Sequence, residues 1–179
     1  MKESFYRRLI DEAPFAHSYH QLIVDEHENP VDYRFIEVND AFEAITGIKK
    51  ESVIGKTILE LIPTILQDDF DWITHYAQIA MHGGTAEFEE YSKPLKKWFR
   101  IQVFSWERGY FSTIFSDITQ SKNSSEQLDR FFSINLDLLC IANIDGKFEK
   151  INPEWERTLG YSPEDLGLLS WQWNAPNQY

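Results

Sequence analysis

DYRFIEVNDAFEAITGIKKESVIG, residues 32–55, is the stretch whose reading decides the fold. Its first seven residues carry Tyr33, Phe35, Ile36 and Val38 and read as a strand. Asn39 then offers an N-cap oxygen, and Ala41, Phe42 and Ile45 follow at helical spacing. Gly47 ends that helix as a C′ glycine, since it enters left-handed backbone without a Cβ clash. The unit occurs twice. INPEWERTLGYSPEDLG, residues 151–167, sets Asn152 against Asn39, Trp155 against Phe42 and Gly160 against Gly47, 113 positions on. In this second copy Asn152 reads as the N-cap with Pro153 at the first helical position, and Ser162–Asp165 opens a further helix.

Working outward, residues 3–12 form a short helix that Pro14 ends, and Phe15–Asp25 reads as a strand. His27-Glu28-Asn29-Pro30 is turn chemistry, so this strand and the next make a hairpin. Two short helical pieces, 50–54 and 57–62, follow, and Asp68 and Asp69 open the longest helix, 69–82, which Gly83-Gly84 closes. Three strands come next, at 85–92, 96–107 and 109–119. In the middle one Phe99, Ile101 and Val103 share a face, while Trp98, Phe104 and Trp106 make the other face apolar too. A sheet apolar on both sides is covered on both, here by the helices of 39–82 and by the N-terminal helix or another subunit. Residues 120–136 read as a linker helix with a Ser124–Gln127 capping box and a stripe of Leu128, Phe131, Phe132 and Leu136.

These residues resemble the PAS family of sensor domains. The carriers are EVNDAF with its following TG and VIGK, the second-copy segment INPEWERTLGYSPEDL, and Asp117-Ile118-Thr119, with which many such domains end before a signalling helix. The resemblance implies an α+β fold, a five-stranded antiparallel sheet flanked by helices. It divides the chain into a PAS domain with its flanking helix at 1–119, a signalling helix at 120–136 and an incomplete second PAS domain at 137–179. The second copy lacks the long helix and last three strands, so the sequence reads as a fragment of a longer protein, and its closing SWQWNAPNQY departs from the family pattern.

The net charge of −12 opposes binding to nucleic acid or an anionic membrane. Cys140 is the single cysteine, which excludes an internal disulfide and suits a reducing cytoplasm; in the first strand of the second copy it reads as a small buried apolar residue. The first twelve residues carry charges throughout and do not form a signal peptide.

Candidate chemistry is sparse. Asp71 and His75 stand at i, i+4, the spacing of a metal pair or an acid–base couple. Phe70, Ile73, Ala77, Ala80 and Met81 define one face of that helix, however, and His75 projects away from it, so a solvated histidine is expected. Haem-binding family members use a histidine on this helix, but His75 and His82 both lie on the outer side, which argues against haem. Flavin-binding photoreceptor members carry an Asn-Cys-Arg motif between the central helices; residues 48–68 contain no cysteine, and a photoactive flavin–cysteine pair is excluded on that ground. No phosphate loop or nucleophile motif is present, and the chain reads as non-catalytic.

A pocket remains, its cofactor unknown. Alternation and resemblance place Phe88, Phe99, Ile101 and Val103 on its sheet side and Ile45, Leu59, Ile73 and Ala77 on its helix side, with Tyr19, Gln21 and Thr113 as polar contacts. The same residues read equally as plain core. Two functions follow. One is a sensor, as in a histidine kinase or diguanylate cyclase, in which a small ligand or a partner alters the first domain. The Asp117-Ile118-Thr119 junction then relays the change through the linker helix to a C-terminal output domain. The other is a ligand-free module for homodimerisation and spacing.

Overall fold

Helix α1 (Lys2–Asp11) leads into a hairpin of β1 (Ala16–Val24) and β2 (Pro30–Val38) in the computed structural model, which describes residues 2–162 and 165. Short helices α2 (Asp40–Thr46), α3 (Lys50–Val53) and α4 (Ile58–Leu61), a 3-10 turn at Pro63–Gln67 and the longer α5 (Trp72–His82) then cross one face. Strands β3 (Gly84–Ser92), β4 (Lys97–Ser105) and β5 (Tyr110–Asp117) complete an antiparallel sheet of order β2-β1-β5-β4-β3. After it come α6 (Thr119–Ile134), the hairpin β6 (Cys140–Ala142) and β7 (Phe148–Ile151), and α7 (Glu154–Leu159). The chain divides into two compact units, residues 1–120 and 121–179.

Asn39 organises the first unit. Its side chain is 1% exposed. Oδ1 accepts the N–H of Phe42 at 3.0 Å, capping α2, and the N–H of His17 at 2.9 Å in β1. Nδ2 donates to the carbonyls of Ile10, in the last turn of α1, at 2.8 Å and of Phe15 at 2.9 Å. One carboxamide thus joins a helix end, a strand start and a helix start. Gly47 closes α2 at φ 77°, which a side-chain-bearing residue adopts only at a cost. The core lies between the helices and the inner sheet face, where Tyr33, Phe35, Val38, Phe99, Ile101, Val103 and Phe111 are buried. Ile36 is not among them: the register of β2 against β1 shifts between Tyr19 and His20, and the extra residue turns outward.

Several details differ from the sequence reading. Helix α5 starts at Trp72 because Asp71 is its cap, accepting the Thr74 N–H; Asp68 instead accepts Trp72 Nε1–H and the Lys93 N–H. Helix α6 starts at Thr119, so Ser124 lies inside it and no capping box forms there. On the outer sheet face Trp106 is 77% exposed, and α1 does not cover it.

The second unit repeats the asparagine device with one change. Asn152 Nδ2 donates to the carbonyls of Asn135 and Asp137, at the end of α6, while Oδ1 accepts the Leu139 N–H at 2.9 Å. No side-chain bond caps α7, and Pro153, not Asn152, occupies its cap position. Ile151 is buried, and Phe148 meets Trp155 edge to face. Cys140 is exposed, not buried, because its strand has only one neighbour. At Ser162 the N–H and hydroxyl donate to the Asp165 carboxylate; the rest of the helix expected there, and SWQWNAPNQY, lie outside the described residues.

Replacing Asn39 by Ala removes the cap and leaves buried backbone groups unpaired, so a loss of about 2–4 kcal/mol is expected. Urea unfolding of the full chain measures it, with amide exchange at His17 and Phe42 rising together. A loss below about 1 kcal/mol would show that the clip is not a support.

Candidate functional site

The inner face of the sheet and the helices do not close completely. They leave a cavity of about 90 Å³. This exceeds several-fold the roughly 10–15 Å³ that a single water requires and falls short of the ~300 Å³ of sites for drug-sized ligands. Its helical wall is Phe42, Thr46 and Ile48, then Ile58, Leu61, Ile62 and Ile65, then Trp72 and Tyr76. The sheet contributes Ser18, His20, Tyr33, Phe35, Ser92, Phe99, Ile101, Thr113 and Phe115, with Leu95 from the β3–β4 turn. Rings dominate this wall. Tyr76 stacks on Phe111 at 5.1 Å, and Phe42 and Phe99 both meet Phe115 edge to face.

A polar thread crosses β1 and β5 at the wall. Ser18 Oγ lies 2.7 Å from Thr113 Oγ1 and 2.8 Å from His20 Nε2. The His20 ring stacks on Phe111 and meets Phe35 and Tyr33 edge to face, and its Nδ1 has no partner among the described residues. Burial, with a lesser push from His17, drives the His20 pKa down to about 3. Burial likewise raises the phenols of Tyr33 and Tyr76, so both stay protonated. Ser92 Oγ is also buried without a partner among the described residues.

Of the residues expected to line a pocket, Phe99, Ile101 and Thr113 do so. Val103, Ile73 and Ala77 are buried core, and Ile45 and Leu59 pack partly buried against that core. Phe88 packs on Phe70 and His75. Tyr19 and Gln21 are on the opposite sheet face, where Tyr19 stacks on Tyr110 and Gln21 donates to the Tyr110 hydroxyl. In β1 it is Ala16, Ser18, His20 and Leu22 that point inward, one residue out of phase with the expected Tyr19 and Gln21. Both alternate sets of β1 mix polar with apolar residues, and the usable signal was Thr113, flanked by Phe111 and Phe115, opposite Ser18. On α5 the cavity meets the Trp72–Tyr76 row and not the Ile73–Ala77 row.

Asp71 and His75 do not act as a pair. Asp71 caps α5, and His75 is half-buried against Phe70 and Phe88 instead of solvated. His82 is exposed on the last turn of α5. Among the described residues no cluster of metal-ligating side chains is present, and no helix is long and apolar enough to cross a membrane.

The junction residues are tightly held. Lys97 Nζ donates to the Ile45 carbonyl at 2.6 Å and pairs with Asp117 at 2.9 Å. Asp117 Oδ1 accepts the Thr119 N–H at 2.9 Å. The N–H groups of Trp98 and Ile118 bond to Thr119 Oγ1 and the Trp98 carbonyl, respectively. Burial pushes the Asp117 carboxyl up, but the bonds from Thr119 and Lys97 outweigh it and hold it below its usual range.

This architecture agrees with the family models. One described as PAS fold matches residues 31–123, just over half of the chain, and one described as PAS domain matches 136–178. The chain belongs to the PAS family of sensor domains. No curated protein matches it. Among solved structures, an RNA-binding Light-Oxygen-Voltage receptor is similar at TM-score 0.53 and 14% identity, over 72% of this chain and 36% of that one. The chain thus spans little more than a third of that receptor. A sensory box sensor histidine kinase/response regulator domain from Geobacter sulfurreducens gives TM-score 0.48 and 13% identity over 65% and 94% of the two chains. A sensory box sensor histidine kinase from Vibrio cholerae gives 0.42 and 18% over 66% and 92%.

The first of these corrects the cofactor reading. Light-oxygen-voltage domains bind flavin and share this fold, so excluding flavin does not stand. A missing cysteine bears on forming a bond to a flavin, whereas holding one depends on cavity shape and hydrogen bonds.

An unfolded histidine titrates near 6.5, so between that pH and about 3 the unfolded chain binds more protons than the folded one at His20. Stability therefore falls as pH drops through this window, by up to about 1.4 kcal/mol per unit. His20→Phe should flatten that slope in urea titrations between pH 7 and 4.5. A ring resonance of His20 with a midpoint above pH 5 would contradict the assignment.

Proposed function

We propose that this chain is the sensory part of a signalling protein, in which a small ligand in the cavity changes the packing of α2 against the sheet. Asp117-Ile118-Thr119 passes that change to α6. One observation carries the reading: Lys97 bonds at once to the last-turn carbonyl of α2 and to Asp117. Phe42 and Thr46 of α2 line the cavity, so a ligand that displaces them alters an acceptor of Lys97. A relay of this kind requires that the ligand bind the two packings with different affinity.

In this reading residues 1–119 are the sensor, 120–136 the signalling helix and 137–179 part of a second PAS domain. The full-length protein is cytoplasmic and carries a C-terminal output domain such as a histidine kinase or diguanylate cyclase. No residue of this chain is catalytic; the separate engagement of Asp71 and His75 supports that. A second reading, homodimerisation, is favoured by the apolar stripe on α6, where Leu128 is 68%, Phe131 59% and Ile134 70% exposed.

Native mass spectrometry of the full chain separates the two. A bound small molecule that Ile101→Trp displaces supports the sensor; an empty protein at dimer mass supports the dimerisation module. The relay has its own test. Lys97→Met keeps the alkyl stem and removes the donors, and amide exchange over residues 118–124 should quicken about tenfold. Unchanged exchange there would remove Lys97 from the path.

A further inference from the structure

We propose that the cavity takes an uncharged small molecule with an apolar body and one hydrogen-bond-accepting oxygen, a ketone, ether or alcohol, which receives the spare hydroxyl proton of the Ser18–Thr113 pair. The inference rests on reading the cavity as the sensory site.

The first ground is charge. No Asp, Glu, Lys or Arg lines the cavity among the described residues. An ion placed there leaves water without a counter-ion, a heavy cost in a buried site. His20 does not supply one, since burial keeps its imidazole neutral. Tyr33 and Tyr76 likewise remain neutral phenols. The charge of the protein, −12, lies elsewhere.

The second ground is the direction of the polar thread. Ser18 Oγ stands between His20 Nε2 and Thr113 Oγ1, with one proton to give and two lone pairs to accept with. If Ser18 donates to Nε2, the ring proton sits on Nδ1, which is buried without a partner. A buried N–H with no acceptor is the rarer and costlier defect; a bare ring nitrogen is the milder one. The thread therefore starts with His20 Nε2–H donating to Ser18 Oγ, and one of the two hydroxyls donates to the other. This leaves one hydroxyl proton of the Ser18–Thr113 pair unused within the thread, and both residues line the cavity. It calls for an acceptor. The third ground is size: about 90 Å³ suits a body of a few heavy atoms.

Cyclopentanone, cyclopentane, cyclopentylammonium and cyclopentanecarboxylate share a ring and differ in charge and acceptor. Titrated into the full chain, each is followed by the methyl resonances of Ile58, Ile65, Ile101 and Thr113, with xenon as a probe of the open volume. Xenon and cyclopentanone should shift these methyls, and the ketone should bind at least about tenfold more tightly than either ion. Ser18→Ala combined with Thr113→Val should weaken the ketone about fivefold and leave cyclopentane unchanged. If either ion binds as tightly as the ketone, or the double variant leaves the ketone unaffected, the ligand class is wrong while the sensory reading stands. If xenon enters and the ketone does not, the class is again wrong. If not even xenon shifts the methyls, the cavity is closed, and the sensory reading falls together with the class.

Discussion

A carboxamide buried to 1% exposure leaves no room for partial satisfaction, because each of its groups pays the full desolvation cost unless it is bonded. Asn39 meets that demand with four backbone partners drawn from the end of α1, the start of β1 and the start of α2. Those three points are thereby fixed against each other. The position of α2 follows, and with it the side chains of Phe42 and Thr46 at the cavity and the Ile45 carbonyl that Lys97 reaches. The cavity wall and the α6 junction therefore refer to the same anchor.

The cavity persists because its surroundings are stiff. Rings have few rotamers and flat faces, and when they lock edge to face they leave gaps that a flexible chain would fill. Phe35 meets Phe42, Phe42 meets Phe115, and Phe115 meets Phe99, an aromatic run that buttresses α2 against the sheet. His20 belongs to the same society of rings, stacked on Phe111 as another aromatic would be. Its hydrogen-bonding capacity is partly unused in consequence, which is how a titratable side chain comes to sit neutral in a core.

The β1–β2 hairpin and the Asn39–Gly47 segment were legible because their determinants are local: a turn, a cap, a helical period, a glycine that enters φ 77°. The resemblance of the two asparagine segments carried the family with them. The wall of the cavity was harder to read. In β1 both phases carry histidine and polar residues, so period-2 reasoning had no contrast to use, and only pairing with β5 settles which set faces in. In α5 the buried arc spans Trp72, Ile73, Tyr76 and Ala77, wide enough that the row facing the cavity depends on tertiary placement. Asn152 misled for a different reason. Its sequence context matches an N-cap, yet α7 starts one residue further on, behind Pro153, and no side-chain bond caps it.

The repeated asparagine also ties each set of strands to the segment that precedes it. Asn152 holds the carbonyls of Asn135 and Asp137 as Asn39 holds those of Ile10 and Phe15. The segment at the end of the preceding helix is thus held by each copy, in advance of its strands. A recombination event, or an engineer exchanging one sensor for another, that cut between Asp137 and Leu138 would sever the second copy from two of its own hydrogen-bond acceptors. A piece that keeps Asn152 satisfied carries residues 135–137 together with the hairpin that follows them.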